Sequence, residues 1–392
     1  MTASEAAPRH VFIIAGEESG DQLGCKLMRA LTTALPQGVV FSGVGGAAMQ
    51  AEGLASLFPM SDIAVMGFAA ILRRLPLLLA RIAQTARACI AARPDVLVII
   101  DSPDFTHRVA RKVRRALPAL PVIDYVSPTV WAWRPGRARL MRGYIDEVLA
   151  VLPFEPDAHL RLGGPLCSYV GHPLIERLAG LRPDAQEAEA RLGVPPLLLL
   201  LPGSRRSEID RLMPVFGQAL ARITRMHGPV DAVLPAVAKH AGRIAALASG
   251  WPVAPRIVQG EAAKYAAFRR ARAALAASGT VSLELALAHV PMVIAYKVAG
   301  WEAAIARRLI EVPTIVLPNL ILGEQAVPEF IQADCTEQNL AASVVALLSG
   351  GPQRDAQLEA FTRLDFLVES QTGLTPSEAA AARILHWLGR RR

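Results

Sequence analysis

Short apolar runs, each followed by a glycine-rich or polar turn and then a helix-forming segment, recur along most of this chain. Such runs are typical of central parallel strands, which are buried on both faces of a sheet. They fall into two successive sets, residues 11–15, 39–44, 95–100, 122–126 and 148–152, then 197–201, 230–234, 256–258, 273–277, 292–297 and 314–317. We therefore predict an α/β fold with two Rossmann-like, doubly wound domains that face a cleft.

The length supports this division, because 392 residues are too many for one typical hydrophobic core. A turn at Gly171-His172-Pro173 marks the boundary. We predict an N-terminal domain over residues 1–172, a C-terminal domain over 173–350 and a helical tail over 351–392. Whether the tail packs on the N-terminal domain or on a partner subunit is left open, and so is a homodimer.

The charge pattern favours anionic partners. Of the 42 basic residues only five are Lys, and the net charge is +8. Arginine binds phosphate groups through two parallel hydrogen bonds, which lysine cannot do. No zinc-finger spacing or aromatic RNA-binding pattern occurs, so nucleic acid is not an expected partner. The four cysteines are far apart in the sequence and indicate a reducing compartment.

The longest apolar stretch, residues 63–83, is interrupted by Arg73, Arg74, Pro76 and Arg81. These interruptions argue against a membrane-spanning helix and favour an amphipathic segment on a membrane surface. The predicted contacts with membrane or acyl chains are Met66, Phe68, Ile71, Leu72, Arg73, Leu75 and Leu77.

The second half contains a strand, a Ser278-Gly279-Thr280 turn and a helix. The first turn of such a helix has unpaired N–H groups and the positive end of the helix dipole, so it suits phosphate. Glu284 lies one turn deeper on the same face and suits ribose hydroxyls. Arg205 follows another buried strand, where it could bridge a diphosphate. The alternatives are an ordinary capped helix with a solvated Glu284, and a surface arginine.

Acidic residues follow two strands of the first half. Glu17, Ser19 and Asp21 lie in a glycine-rich turn that lacks the dinucleotide-binding spacing, and they suit sugar hydroxyls. Asp101 comes directly after the run 95–100, where α/β enzymes keep catalytic groups, and it is the best candidate for a general base. The alternatives are a helix cap for Asp21 and a turn residue for Asp101. No zinc-binding histidine pair and no G-x-S-x-G elbow occurs, so neither a metal site nor a hydrolase triad is expected.

Eight motifs in order make the chain similar to a known family. They are AGEESGD (15–21), DSPDF (101–105), YVSPTVWAWR (125–134), LPFE (152–155), VGHP (170–173), LPGSRRSEI (201–209), ASGTVSLE (277–284) and LPNLILGEQAVPEF (317–330). Together they resemble the lipid A disaccharide synthases, family 19 of the two-domain GT-B glycosyltransferases. The second glutamate of the first motif, Glu18, is a small departure.

The resemblance implies an inverting transfer. UDP-2,3-diacylglucosamine is the donor, 2,3-diacylglucosamine 1-phosphate (lipid X) is the acceptor, and a β-1′,6 bond forms with release of UDP. It places the donor nucleotide in the C-terminal half and the acceptor in the N-terminal half. It also implies a peripheral protein on the inner face of the cytoplasmic membrane of Gram-negative bacteria, in lipopolysaccharide synthesis.

The resemblance gives the candidate residues their roles. Asp101 takes the proton of the acceptor 6-hydroxyl, and Arg205 stabilises the leaving diphosphate. The UDP and donor contacts are Arg205, Ser278, Gly279, Thr280, Glu284, Asn319, Glu324, Glu329 and Gln332, and the acceptor contacts are Glu17, Ser19 and Asp21. No D-x-D pair occurs, so we expect no cofactor and metal-independent activity. Two alternatives stay open, a UDP-N-acetylglucosamine epimerase on the same scaffold and a non-catalytic lipid-binding protein.

Overall fold

The computed structural model describes residues 7–64, 68–300, 302–303, 312–369 and 372–389, and for residues 68–73 it describes the backbone alone. The chain divides into two compact units, Met1–Ile175 together with Glu369–Arg392, and Glu176–Val368. The predicted tail 351–392 is therefore divided between them. Each unit contains one parallel sheet flanked by helices, which confirms the predicted α/β fold class with two Rossmann-like units.

The first unit contains a seven-stranded sheet in the order β3-β2-β1-β4-β5-β6-β7. Its strands are β1 (Arg9–Ala15), β2 (Val39–Val44), β3 (Ala55–Ser56), β4 (Val96–Ile100), β5 (Val122–Tyr125), β6 (Glu147–Ala150) and β7 (Leu166–Tyr169). Its first six helices are α1 (Glu18–Ala34), α2 (Ala47–Ala51), α3 (Phe68–Ala92), α4 (Pro103–Ala116), α5 (Gly136–Met141) and α6 (Glu155–Arg161).

Strands β1 and β4 form the centre of this sheet. All five residues of β4 are fully buried, as a strand covered on both faces requires. The two strands pair in parallel with Ala15 opposite Ile100, so the turns that follow them are neighbours. At Gly16 the turns come so close that a Cβ atom would lie 2.3 Å from the Cβ of Ser102. Glycine is therefore required at this position.

The second unit contains a six-stranded sheet in the order β10-β9-β8-β11-β12-β13. Its elements are α7 (Leu178–Leu181), α8 (Ala185–Ala190), β8 (Leu197–Leu201), α9 (Arg206–His227), β9 (Asp231–Ala236), α10 (Ala241–Ala248), β10 (Arg256–Gln259), α11 (Glu261–Arg270), β11 (Ala273–Ala277), α12 (Thr280–Leu287), β12 (Met292–Tyr296), α13 (Leu317–Leu322), β13 (Glu329–Ile331), α14 (Glu337–Ser349) and α15 (Pro352–Val368). Leu201 lies opposite Ala276, so the turns after β8 and β11 are neighbours.

The expected strand at 314–317 is wrong. Residues 314–316 form a loop, and α13 begins at Leu317 with Pro318 in its first turn. Proline suits the first turn of a helix because its missing N–H has no partner there. Short apolar runs do not distinguish a strand from a buried loop by composition.

The last helix, α16 (Pro376–Gly389), packs against α1 of the first unit. Arg383 Nε and Trp387 Nε1 donate to the two carboxylate oxygens of the fully buried Glu147, at 2.7 and 2.6 Å. Helix α15 stays with the second unit, where the Gln357 side chain exchanges two hydrogen bonds with the backbone of Met292 in β12.

Helix α3 is long and apolar enough over Arg74–Ala92 to cross a membrane by length and composition alone, with a mean hydropathy of 1.3. Core helices of globular domains meet the same criterion. Ile82, Ala86 and Cys89 repeat at helical spacing and are at most 4% exposed, because this face packs on the sheet. Within the described side chains, Leu75, Leu77 and Leu79 lie 37–49% exposed on the same helix.

Candidate active site

Asp101 lies where β4 ends, next to the turn after β1. Asp101 and Ser102 have left-handed backbone conformations, with φ of 51° and 48°. Such angles are uncommon outside glycine and concentrate at functional sites. The Ser102 N–H donates to Asp101 Oδ1 at 2.6 Å, and Thr106 Oγ1 donates to the Asp101 carbonyl at 2.7 Å. Asp101 thus makes the backbone hydrogen bond expected of a turn residue. The same bond fixes its carboxyl group at the carboxyl end of β4.

The surroundings of Asp101 raise its pKa to about 6. Burial is the largest cause, followed by the negative charge of Glu17. The Ser102 N–H acts in the opposite direction, while a hydrogen bond with Glu17 and the charge of Asp124 raise the pKa further. A carboxylate with a pKa near 6 is a stronger base than a free one and is still ionised at neutral pH.

Glu17 and Ser19 lie beside Asp101 in the turn after β1. Glu17 occupies the N-cap position of α1 but its side chain makes no capping bond. Its carboxyl accepts a hydrogen bond from Ser19 Oγ at 2.6 Å, and the turn that carries it adjoins the Asp101 turn. These two predicted acceptor residues therefore share one polar site with the predicted base.

Asp21 does not line this site, so its predicted contact with the acceptor is wrong. It is 1% exposed, and its carboxylate accepts from the N–H groups of Gly46, Ala48 and Met49 at 2.8–3.1 Å. These are the orphan donors at the start of α2. Asp21 therefore caps a neighbouring helix through a long-range contact, rather than its own helix as the alternative had it.

A cavity of about 350 Å³ with both apolar and polar walls lies beside the Asp101 turn. Its walls are residues of α3 and of the α4 start: Ile63, Leu75, Leu78, Leu79, Ile82, Ser102, Pro103, Asp104, Phe105 and Arg108. Leu75 is the predicted acyl-contact residue that lines it, and Leu77 is exposed nearby on α3. Met66 and the side chains of Phe68, Ile71, Leu72 and Arg73 lie outside the described part of the chain.

A larger cavity of about 590 Å³ lies in the second unit, at the carboxyl ends of β8, β9 and β11. It is lined by Leu201, Gly203, Ser204, Arg205, Glu208, Pro235, Ala236, Val237, Ala238, Gly260, Glu261, Lys264, Ala277, Ser278, Gly279, Thr280, Val281 and Glu284. Ligands of open α/β sheets bind at this end of the strands. The structure thus brings together five predicted donor residues, Arg205, Ser278, Gly279, Thr280 and Glu284.

Glu208 shapes the loop that carries Arg205. One of its oxygens accepts from the N–H groups of Ser204 and Arg205, and the other from Arg205 Nη1 at 3.0 Å. A Cβ atom at Gly203, where φ is 104°, would lie 2.4 Å from that carboxylate. The Arg205 side chain remains 67% exposed on the cavity wall, so its guanidinium is available to an anion.

The turn at 278–280 offers an anion mainly backbone N–H groups and not hydroxyl groups. Ser278 Oγ is occupied by a hydrogen bond to the Ile315 carbonyl at 2.7 Å. Gly279 has φ of 148°, and a Cβ atom there would meet no atom within 4 Å. Its open side belongs to the cavity, and α12 begins at the next residue, Thr280. The first N–H groups of this helix are therefore the donors offered to an anion.

Glu284 forms an ion pair with Lys264 on the cavity wall, so it is not a freely solvated residue. Lys264 Nζ also lies 5.3 Å from the ring centres of Tyr265 and Phe268. Lys264 was not predicted from the sequence, since a lone lysine in an amphipathic helix gives no motif. The role of Glu208 in holding the Arg205 loop was also not predicted, although its position three residues after Arg205 fits a helix cap.

The other four predicted donor residues do not line this cavity, and their contact with the donor stays a prediction. Asn319 is 1% exposed and exchanges two hydrogen bonds with the backbone of Val327. Glu329 Oε2 accepts from Ile315 N at 3.2 Å, and Gln332 Oε1 from Val298 N at 2.9 Å. Glu324 pairs with Arg363 at the surface. Ile315 is also the partner of Ser278, so Glu329 acts on the anion-site turn through it.

The comparisons with known proteins agree along the whole chain. A family model described as lipid-A-disaccharide synthetase matches residues 11–383. The chain is 56% identical to the lipid-A-disaccharide synthase of Nitrobacter hamburgensis, covering 96% of this chain and 95% of that protein. It is 45% identical to the one from Rhodospirillum centenum, covering 98% and 96%.

Solved structures share the fold at low sequence identity. The UDP-GlcNAc 2-epimerase of Neisseria meningitidis, bound to UDP-GlcNAc, gives a TM-score of 0.60 at 11% identity and covers 98% of this chain and all of that one. Acinetobacter baumannii MurG gives 0.56 at 16% identity, covering 97% and 100%. Among the described residues no group of three His, Cys, Asp or Glu side chains could hold a metal ion.

Proposed function

Since this chain belongs to the lipid-A-disaccharide synthetase family, we propose that the carboxyl ends of its two sheets take different parts in one glycosyl transfer. The enzyme is a glycosyltransferase that joins UDP-2,3-diacylglucosamine to 2,3-diacylglucosamine 1-phosphate through a β-1′,6 bond and releases UDP. The epimerase and lipid-binding alternatives are not favoured, because the family match extends over nearly the whole chain.

Asp101 acts as the general base. Its carboxylate removes the proton of the acceptor 6-hydroxyl while that oxygen attacks the anomeric carbon of the donor. The bond from the anomeric carbon to UDP breaks with its electron pair on the diphosphate, and the configuration inverts. The observation that carries this role is the position of Asp101 at the end of β4, held by Ser102 N–H, beside a cavity that is partly lined by leucine and isoleucine side chains. That cavity suits an acyl chain of the lipid acceptor.

The second unit binds the donor. The N–H groups at the start of α12 and the Arg205 guanidinium face one cavity, and together they offset the charge that develops on the leaving diphosphate. The Glu284 carboxylate, held by Lys264, accepts hydrogen bonds from the ribose hydroxyls. These charges and dipoles are fixed before the reaction, so the transfer proceeds without a metal ion or another cofactor.

The reaction itself is the first test. Purified enzyme, given both diacyl substrates in detergent, should form the disaccharide 1-phosphate and UDP in a thin-layer assay. It should form them at the same rate in excess chelator, because Arg205 and the helix N-terminus replace a cation. UDP-N-acetylglucosamine alone, the epimerase substrate, serves as the negative control. A rate that vanishes in chelator and returns with Mg²⁺ would refute the metal-free mechanism.

We further propose that the exposed face of α3 places the enzyme on the cytoplasmic side of the inner membrane, as a peripheral protein. Leu75 and Leu79 are 40% and 49% exposed, and both line the cavity beside the Asp101 turn. The Leu75→Ser/Leu79→Ser double variant should lose most of its co-sedimentation with anionic phospholipid vesicles. The matched control is Leu160→Ser/Leu166→Ser, which removes two leucines that are still more exposed, elsewhere in the unit. Equal loss in both variants would argue against a specific membrane face.

A further inference from the structure

Among the described residues that line the cavity beside the Asp101 turn, Arg108 alone carries a positive charge. It lies in the second turn of α4, about 8 Å along the helix axis from Pro103, where the helix begins. Long side chains of a helix point back over the preceding turn. The guanidinium is therefore directed toward Asp104 and Phe105, which lie one turn earlier and line the same cavity.

The charge of Arg108 is not offset by the acid one turn earlier. The Asp104 carboxylate instead accepts a hydrogen bond from Arg137 Nη2 at 3.1 Å. Within the described part of the chain, Arg108 is exposed and makes no hydrogen bond or ion pair of its own. The other walls include three leucines of α3. A wall of leucines with one uncompensated guanidinium is complementary to an amphiphile that has acyl chains and an anionic group.

The proposed acceptor has an anionic group close to its reactive oxygen. In 2,3-diacylglucosamine 1-phosphate, C1 carries the phosphate and C5 carries the 6-hydroxymethyl group, and these two carbons flank the ring oxygen. When the 6-hydroxyl lies at Asp101, the phosphate is therefore within one sugar ring of that carboxylate. Glu17 adds a second acid in the adjoining turn. The phosphate thus needs a cation on the cavity wall to offset its repulsion from the two acids.

We infer that Arg108 binds the 1-phosphate of the acceptor and so selects a phosphorylated acceptor over the same sugar without phosphate. This inference rests on the proposed function. A guanidinium can donate two parallel N–H bonds to phosphate oxygens. The bonds that change in the reaction are at the acceptor 6-oxygen and at the donor anomeric carbon, so the 1-phosphate keeps its charge throughout. Arg108 therefore stabilises the bound acceptor and the transition state equally.

The test compares two acceptors, 2,3-diacylglucosamine 1-phosphate and 2,3-diacylglucosamine without the phosphate. With the wild type, removal of the phosphate should raise KM by about 10-fold or more, as expected when a hydrogen bond to a charged group is lost. Arg108→Ala should raise KM for the phosphorylated acceptor by a similar factor, leave kcat nearly unchanged, and show almost no preference between the two acceptors. Arg108→Lys should recover part of the preference, because an ammonium group keeps the charge without the two-pronged geometry.

Arg115→Ala is the matched control. Arg115 lies seven residues further along α4, is exposed, and does not line the cavity. This variant should keep the wild-type preference for the phosphorylated acceptor. An equal rise of KM in both alanine variants would indicate a general effect of net charge. An Arg108→Ala variant that keeps the preference would show that another group binds the phosphate. Either result overturns the inference.

Membrane headgroups share the chemistry of the acceptor phosphate, and a vesicle experiment separates the two. Arg108→Ala should co-sediment with anionic phospholipid vesicles as the wild type does. A loss of vesicle binding with an unchanged acceptor preference would assign Arg108 to a headgroup and overturn the inference. Failure of the proposed function is seen separately, because the wild type would then form no disaccharide from either acceptor before any variant is compared.

Discussion

The Asp101→Asn variant should lose turnover by about 10²–10⁴-fold while it still binds UDP. An asparagine keeps the shape of the side chain and can still accept from the Ser102 N–H, but its amide cannot take a proton from the acceptor hydroxyl. The donor cavity is built only from residues of the second unit, so UDP affinity should not change. Single-turnover kinetics with both substrates and calorimetric titration with UDP measure the two quantities.

Asp157→Asn is the matched control. Asp157 lies in the first turn of α6, is exposed, and lines neither cavity. The same chemical change there should leave most of the turnover intact. Near-normal activity in Asp101→Asn, or an equal loss in both variants, would mean that Asp101 is not the base.

The Arg205→Ala variant should lower kcat by about 10²–10³-fold, the usual loss when one group that stabilises a developing charge is removed. The charge on the leaving diphosphate grows as its bond breaks, so the loss should appear in kcat more than in the binding of the intact donor. Arg205→Lys should recover little of it, because an ammonium group lacks the two-pronged geometry of guanidinium. Steady-state kinetics over a range of donor concentrations separates the two parameters.

Arg206→Ala is the control for this variant. The Arg206 side chain is 71% exposed, its guanidinium lies 3.7 Å from Asp210, and it does not line the cavity. Exposed ion pairs contribute little to stability, so the fold should be unaffected. If both alanine variants lose activity equally, a general loss of positive charge is responsible and the specific role of Arg205 fails.

The sheets, and the turns that follow their strands, could be predicted from the sequence because each depends on local pattern. Continuous apolar runs such as 96–100 and 197–201 strongly favour buried strands, and Ser278–Thr280 directly follows a strand. The register of neighbouring strands is not local. The closeness of the turns that carry Glu17 and Asp101 depends on β1 lying beside β4, and no motif spacing specifies this.

Motif matching also did not show how a residue acts. Asn319 and Glu329 lie in a motif of the family, yet their side chains bind the backbone of Val327 and Ile315. Asp21 lies in another motif and caps α2 from a distance of 25 or more residues in the chain. A sequence pattern indicates that a position matters. A residue that contacts a ligand and a residue that supports a loop can, however, give the same pattern. Only the hydrogen-bond partners distinguish them.

The return of α16 to the first unit has a consequence for how this chain is made. Glu147 is buried in β6, and its partners Arg383 and Trp387 follow it by 236 and 240 residues. During synthesis, the ribosome must therefore complete the whole second unit before the first can bury this carboxylate in its final environment. A nascent chain that has just passed residue 175 carries an uncovered α1 and an unpaired acid. The first unit to be translated is thus the last to be finished, and a premature stop near the end would leave Glu147 without its two partners.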